Sequence, residues 1–516
     1  MNIEELIEKT KTSNNYEDYL AVAQAYFDEK NYDKVREFIQ EKLFIKFPEN
    51  VKNYYLFAKT LAMQDKIDEA ISKLYKGLEL DPDNTESKIL LAKIFYHKDK
   101  FEKAKKIFKK LKNQIPENRD IKLYLGMIYT AENKYEKAIV EYKTILKKDK
   151  KDIDAYFNMG LAYSFLNWHK EAIWCYKEVF KLNPYHVEAR YAIAYVYYQL
   201  KEFESALKQL NAGLGINKEN EDLHWLKGQI LFEQNKFKEA LFNFEQSIRI
   251  NPDNLKAYPS LAKTYLAMGC KDFAIEYYLM AISKNPSNEQ NYLELAKIYE
   301  DKKAYDLAIK YYNMTIQKNE KIINSYIGLG YCHKNMQDYD NALSYFKKVQ
   351  NMTQNTPQIH FEIADLNKLK ENFEEAAEHY FTSISLKPNN PKAYYELGLI
   401  YLHKKDYKNA ELYLKEAIII DGQLAKAYEA LGRTYLGLKD YNRAENNFRK
   451  ALRFDNKNKR AIEGFVETCK IQNKYNLAKK VLKRFVKQTK DTEYQDTLKE
   501  LEKLSMPNWL KKILGK

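Results

Sequence analysis

The chain has 516 residues, 45% hydrophobic, 31% charged and 14% aromatic, with 44 tyrosines against 15 glycines and 11 prolines. No run of 18 apolar residues occurs, which excludes a membrane-spanning helix. The net charge of +14 would suit a nucleic-acid or acidic-membrane partner, but the lysines are spread along the whole chain among 72 acids, so they read as a solvated surface.

Residues 1–15 begin "MNIEELIEKT", polar and acidic, with Ile3, Leu6 and Ile7 on one side. They predict a short capping helix and carry no pattern of a secretory leader. Then a period sets in. Thirteen alanines recur at intervals of 34 residues, from Ala70, Ala104 and Ala138 to Ala444 and Ala478. Twelve residues before them lies a second small residue, such as Ala58, Gly126, Gly160 or Gly228. Large side chains follow the small ones three or four residues on, as Tyr163 follows Gly160 and Tyr176 follows Ala172. Offsets of three and four are helical, and a small residue facing a large one lets two helices approach closely. Breakers such as Asp81-Pro82, Asn183-Pro184 and Asn251-Pro252 end each second helix. The phase extends back to Ala23 and Val35 with one residue inserted near Pro48. About fourteen units therefore fill residues 16–492, starting near 16, 51, 85, 119, 153, 187, 221, 255, 289, 323, 357, 391, 425 and 459. Residues 493–504 place Leu498, Leu501 and Leu504 on one face as a second capping helix. In the tail, 505–516, Trp509, Leu510, Ile513 and Leu514 share a face among lysines. That tail reads as a docking motif, a peripheral membrane contact or a fold-back that seals the last repeat.

The pattern resembles the tetratricopeptide repeat family, and "AYFNMGLAYSFLNWHKEAIWCYKEVFKLNP" (155–184) matches its small and large positions almost throughout. The resemblance implies an all-α fold, a right-handed superhelical α-solenoid of helix–turn–helix units. It also implies that the first helix of each unit lines a concave face through positions 2, 5, 9 and 12 of the repeat. At those positions Met127, Phe157, Leu161, Tyr191, Tyr195, Tyr198, Trp225 and Phe232 converge as an aromatic patch, the kind of surface that marks a partner site. Position 2 is acidic in five successive repeats: Glu86, Asp120, Asp154, Glu188 and Asp222. These read either as a rail for basic residues of a peptide or as charges that complement helix dipoles. No position 5 is basic, so the family's carboxylate clamp is absent, and Asn158 alone stands where other members carry an asparagine ladder.

Nothing in the chain carries catalytic chemistry. Phosphate-loop, dinucleotide, zinc-protease and serine-nucleophile motifs are missing. The eight histidines are scattered, and the four cysteines (Cys175, Cys270, Cys332, Cys469) lie 62 or more residues apart. No cofactor or metal is expected, and the cysteines read as reduced thiols of a cytoplasmic protein. The expected function is a non-enzymatic scaffold that holds a protein or peptide in its groove. The alternatives are a structural subunit of a secretion, motility or division apparatus and a basic RNA-associated protein.

Overall fold

A computed structural model describes residues 3–353, 356–490 and 492–506. Its described residues form helices joined by short turns, with no strand among them. The fold is an α-solenoid. The chain divides into two compact units, Met1–Met268 and Gly269–Lys516.

Each repeat is built by two kinds of break. The first is the turn between its helices. Residue 15 of each repeat adopts a left-handed backbone, from Asp65 (φ 58°) through Asn167 (φ 59°) and Lys201 (φ 59°) to Asn473 (φ 58°). The next amide then reaches back five residues, as Trp168 N–H does to Tyr163 O (2.9 Å) and Lys134 N–H to Tyr129 O (2.7 Å). This is a Schellman closure, which satisfies carbonyls that the helix end would otherwise orphan. Glycine is the usual residue for it, yet only Gly269 (φ 80°) supplies one. Packing therefore holds lysines and asparagines in a conformation that costs an L-residue roughly 1–2 kcal/mol.

The second break separates one repeat from the next. At most junctions an Asn or Asp caps the coming helix, whereas Lys256, Ile322, Thr356 and Leu424 give no side-chain cap. Asn118 Oδ1 accepts from Ile121 N–H (3.1 Å), Asp152 Oδ1 from Ala155 N–H (2.9 Å) and Asn220 Oδ1 from Leu223 N–H (3.0 Å). The loops at 149–152, 217–220 and 455–458 contain no proline and break the helix all the same. Proline and the cap each assist this break, and the loops at 319–322 and 421–424 make it with neither.

Between the breaks, small and large positions interlock. The 34-residue alanines from Ala70 to Ala478 are fully buried. A Cβ added to Gly160 would lie 2.7 Å from the Tyr176 ring, so the ring packs directly on bare backbone. Within Met1–Met268, each first helix from Val51–Met63 to Ala257–Ala267 touches the next first helix, while second helices make no comparable contact with each other. The first helices thus form the tighter layer, the inner side of a curved stack.

Two local departures have physical causes. The residue inserted near Pro48 on the sequence reading is taken up inside the second helix instead, as a π-helical turn at Ile39–Leu43 closed by Phe44 N–H to Ile39 O. A helix absorbs one extra residue this way without disturbing the loop beyond it. In the repeat from 255, the first helix starts late, at Ala257, and carries Pro259 in its first turn, where a missing N–H is harmless. At the ends, Ile3–Thr12 and Gln495–Leu504 are helical, and the latter buries Leu498 and Leu501. Trp509, Leu510, Ile513 and Leu514 lie outside the described residues.

Candidate partner-binding groove

The eight aromatic and apolar positions singled out in the sequence fall into two adjoining clusters and one outlier. Met127, Phe157 and Leu161 are partly buried against one core cluster. Phe157 lies between Tyr176 and His186, with ring centroids 6.1 and 5.0 Å away. Tyr191, Tyr198 and Trp225 pack against the next cluster. Tyr191 stacks on Tyr195 (6.4 Å, 17° between planes), and Tyr195 leans on Tyr198 (6.2 Å). Tyr195 is the most open of the set at 39% exposure. Trp225 is anchored at its polar edge: indole Nε1–H donates to Ser260 Oγ (3.2 Å), and Lys256 Nζ stands 5.2 Å from the ring centroid. Gln229 Nε2 donates to the same Ser260 Oγ (2.6 Å). Phe232 turns away toward its own inter-helix turn and packs on Phe237 (5.7 Å). Tyr198 also reaches its own turn, at Phe203 (6.3 Å), so an aromatic at position 12 partly serves the repeat itself.

Position 5 side chains are more than half hidden. Burial, with Asp222 nearby, pushes the Tyr191 phenol up to about 12, so it stays a neutral hydrogen-bond donor. Tyr195, by contrast, offers a ring face on a run of stacked tyrosines. Such a surface can take an apolar or a cationic side chain.

The acids of position 2 are not a bare rail. Asp120 pairs with Lys93 (2.5 Å), Asp154 with Arg119 and Asp222 with Lys256 (3.7 Å), while Glu188 lies 3.0 Å from His186 Nδ1, the atom that accepts from Ala189 N–H to cap this helix. Glu86 is exposed. Arg119 also clamps Asp152 through Nε (2.6 Å) and Nη2 (3.0 Å). Burial works against the Asp152 charge, and the guanidinium outweighs it and holds the carboxyl below the usual carboxylate range. Side-chain exposures of 74% at Glu188, 58% at Asp154 and 49% at Asp222 leave these carboxylates open to solvent.

Two constellations escaped the sequence reading. Along the first helices of the second unit, Lys334 bonds Glu362 (2.8 Å) and Asp365 (2.6 Å), and Lys368 bonds Asp365 (3.1 Å) and Glu396 (2.7 Å). This alternation joins three consecutive repeats. Its signal was present as opposite charges at positions 6, 9 and 12. In the repeat from 357, two of the scattered histidines meet: His360 Nδ1 and His379 Nδ1 lie 3.0 Å apart. Among the described residues, no group of three or more His, Cys, Asp or Glu side chains could hold a metal ion. Burial pushes the thiols of Cys175 and Cys332 up to about 12 and that of Cys469 to about 11. No described helix is long and apolar enough to cross a membrane.

Comparison with known proteins gives concordant family matches along the chain. A TPR repeat model matches residues 126–164, 228–269 and 364–405. Two tetratricopeptide repeat models match 61–122 and 169–230, and 323–356, 391–423 and 425–458. Residues 2–77 match the model for subunit 3 of the anaphase-promoting complex, cyclosome. No curated protein sequence matches the chain. Among solved structures, the chain is similar to the C-terminal part of a TPR repeat-containing protein from Cytophaga hutchinsonii (22% identity, 46% of this chain and 97% of that one, TM-score 0.42). It is also similar to the Cut9-Hcn1 hetero-tetramer of the APC/C (17%, 87% and 96%, TM-score 0.38) and to Pseudomonas aeruginosa pilF (21%, 43% and 99%, TM-score 0.37).

Proposed function

The chain is a tandem tetratricopeptide repeat protein, and we propose that it is a non-enzymatic scaffold that holds a peptide segment of a partner protein against its first-helix layer between residues 119 and 255. The observation that carries this reading is the Tyr191–Tyr195–Tyr198 run beside Trp225, an aromatic surface left partly open in an otherwise lysine-rich exterior. Stacked rings of this kind hold apolar and cationic side chains with little loss of their own freedom. Met127, Phe157 and Leu161 extend the apolar floor. Glu188 and Asp222 offer carboxylates to basic residues of the peptide, Asp222 in exchange for Lys256. Three buried free thiols, Cys175, Cys332 and Cys469, suit a reducing compartment such as the cytoplasm.

A second reading, a structural subunit of a large assembly, draws on the match of residues 2–77 to a subunit of such a complex. The two separate in one experiment. Full-length tagged protein is purified from its native cell beside a Tyr191→Ala/Trp225→Ala variant, and circular dichroism checks that both are folded. On the groove reading one partner is lost selectively from the variant, with affinity down at least tenfold. An unchanged partner set refutes the groove and favours the assembly subunit.

A further inference from the structure

Position 4 of the repeat carries a job that one repeat has given up. From residue 51 onward the position is occupied by Tyr54, Lys88, Lys122, Tyr156, Arg190, His224, Tyr258, Tyr292, Tyr326, His360, Tyr394, Tyr428 and Ile462. Every one but the last is a ring or a long cation. Five of them reach back to the carbonyl at position 32 of the preceding repeat, while Lys88 and Lys122 pair instead with the acids Asp83 and Glu117 of that loop. Arg190 Nη2 donates to Pro184 O (3.2 Å), Tyr258 Oη to Pro252 O (2.9 Å), Tyr292 Oη to Pro286 O (3.2 Å) and Tyr428 Oη to Gly422 O (3.3 Å). His224 Nε2 sits 3.2 Å from Lys218 O in the same way. Their bodies fill the space alongside, as Tyr428 does by stacking on Phe454 (5.6 Å) under Lys450.

Ile462 is aliphatic and too short for either task. Where the ring would lie, the second helices Tyr441–Phe454 and Tyr475–Thr489 leave an open groove of about 490 Å³. Its floor is Ile462, Phe465 and Phe485, its apolar walls are Leu452, Leu477 and Val481, and Asn456 stands at the position 32 end. Its rim is cationic. Arg449, Arg453, Lys480 and Arg484 line it, and no Asp or Glu does. Arg449 is paired with Glu445 (2.5 Å). Arg453, Lys480 and Arg484 are exposed and make no ion pair among the described residues.

We propose that this groove, on the face opposite the first-helix layer, is a second docking site, for an acidic peptide segment of a partner protein that inserts one bulky apolar or aromatic side chain. The choice of occupant follows from charge. Three uncompensated cations around an apolar slot repel the lysine-rich surface of another copy of this chain and attract carboxylates. The slot lies over Ile462, at the position where other repeats carry a tyrosine, and its volume of about 490 Å³ admits a bulky inserted side chain. The site rests on residues distinct from the groove between 119 and 255, and the two stand or fall separately.

The test uses the full-length chain and a library of twelve-residue fluorescent peptides, each with one Phe, Tyr, Trp or Leu flanked by at least three Asp or Glu. Binding is read by anisotropy, with a single-stranded oligouridylate of equal charge as a competing probe. Two variants are compared. Ile462→Tyr restores the residue common at this position, so it is expected to keep or raise the melting temperature while filling the slot. Arg453→Glu/Arg484→Glu reverses the rim. The expected result is a subset of acidic peptides that bind the wild type at least tenfold more tightly than either variant, and that lose binding when the central anchor becomes Gly. The proposal is overturned if no acidic peptide binds, if Ile462→Tyr binds them as well as the wild type does, or if the oligouridylate binds more tightly than the peptides and with the same sensitivity to Ile462→Tyr.

Discussion

The tyrosines of this chain do two jobs that composition alone cannot separate. Tyr142 and Tyr176 are fully buried opposite Gly126 and Gly160, and their bulk is the packing itself. Tyr195, on a first helix, is the exposed member of a stack. The periodicity made the first kind legible, because a small residue twelve positions before each alanine demands a large partner. It left the second undecided, because exposure at position 9 depends on what the adjoining first helix presents. Histidine makes the same point more sharply. His360 and His379 are 19 residues apart and were invisible as a pair, yet their rings meet. Burial lowers the pKa of both from the ordinary 6.5, and for His379 the neighbouring His360 adds to it. Around His379, Lys347 acts in the same direction, while Glu378 and Glu375 oppose it. The folded state therefore binds fewer protons than the unfolded chain, and stability rises with pH across this window. It is full above about pH 6.5 and falls as the pH drops toward the depressed folded values. Urea midpoints at pH 7.5 and 5.5 are expected to differ for the wild type and to differ less for His379→Gln. Equal losses in both proteins would remove the pair from the account.

At the scale of the element, helix existence and length are readable because the apolar spacing is local, and the second helices end at the proline dipeptides where the sequence has them. Before Ile153, where proline is missing, the Asp152 cap assists the junction. The left-handed turn at position 15 gave little signal, because lysine, glutamate and glutamine occupy it as readily as asparagine. That choice leaves stability unclaimed. Lys201→Gly at φ 59° is expected to stabilise its repeat by about 1 kcal/mol, whereas Lys201→Val, β-branched, destabilises it by at least as much. Thermal melts of the two variants, followed by circular dichroism, should move in opposite directions. A melting temperature unmoved by either would mean that the backbone there is not left-handed in solution. The π-turn at Ile39–Leu43 belongs to the same lesson: the count of residues revealed an insertion, and helix packing decided where to store it.

For the molecule as a whole, a stack of near-identical units makes stability a sum of repeat and neighbour terms. Damage should then stay near its origin. Ala172 is fully buried at a helix crossing. Ala172→Leu forces extra methylenes into a packed site, at a cost of about 1–3 kcal/mol. Hydrogen exchange should quicken in residues 119–221 and remain unchanged beyond residue 323; uniform acceleration would mean that the stack unfolds as a single cooperative body. Charge is likewise managed locally. Many lysines are met by carboxylates of the neighbouring repeat, as in the Lys334–Glu362–Asp365–Lys368–Glu396 series, while Arg453, Lys480 and Arg484 leave part of the net +14 uncompensated on one rim.

By itself, the sequence determined the repeat, its length, its helices and the pairing of small with large residues, because each follows from spacings shorter than one unit. It also pointed to the residues of the 119–255 surface, since the repeat assigns every position a face. Only the tertiary structure decided which acids already hold a cation, which histidines meet and what an aliphatic residue at position 4 leaves behind. The physical reason is reach. A side chain's partner in a solenoid lies one repeat away, where the identity of a neighbour about thirty residues distant sets whether a charge is paired or a gap is filled.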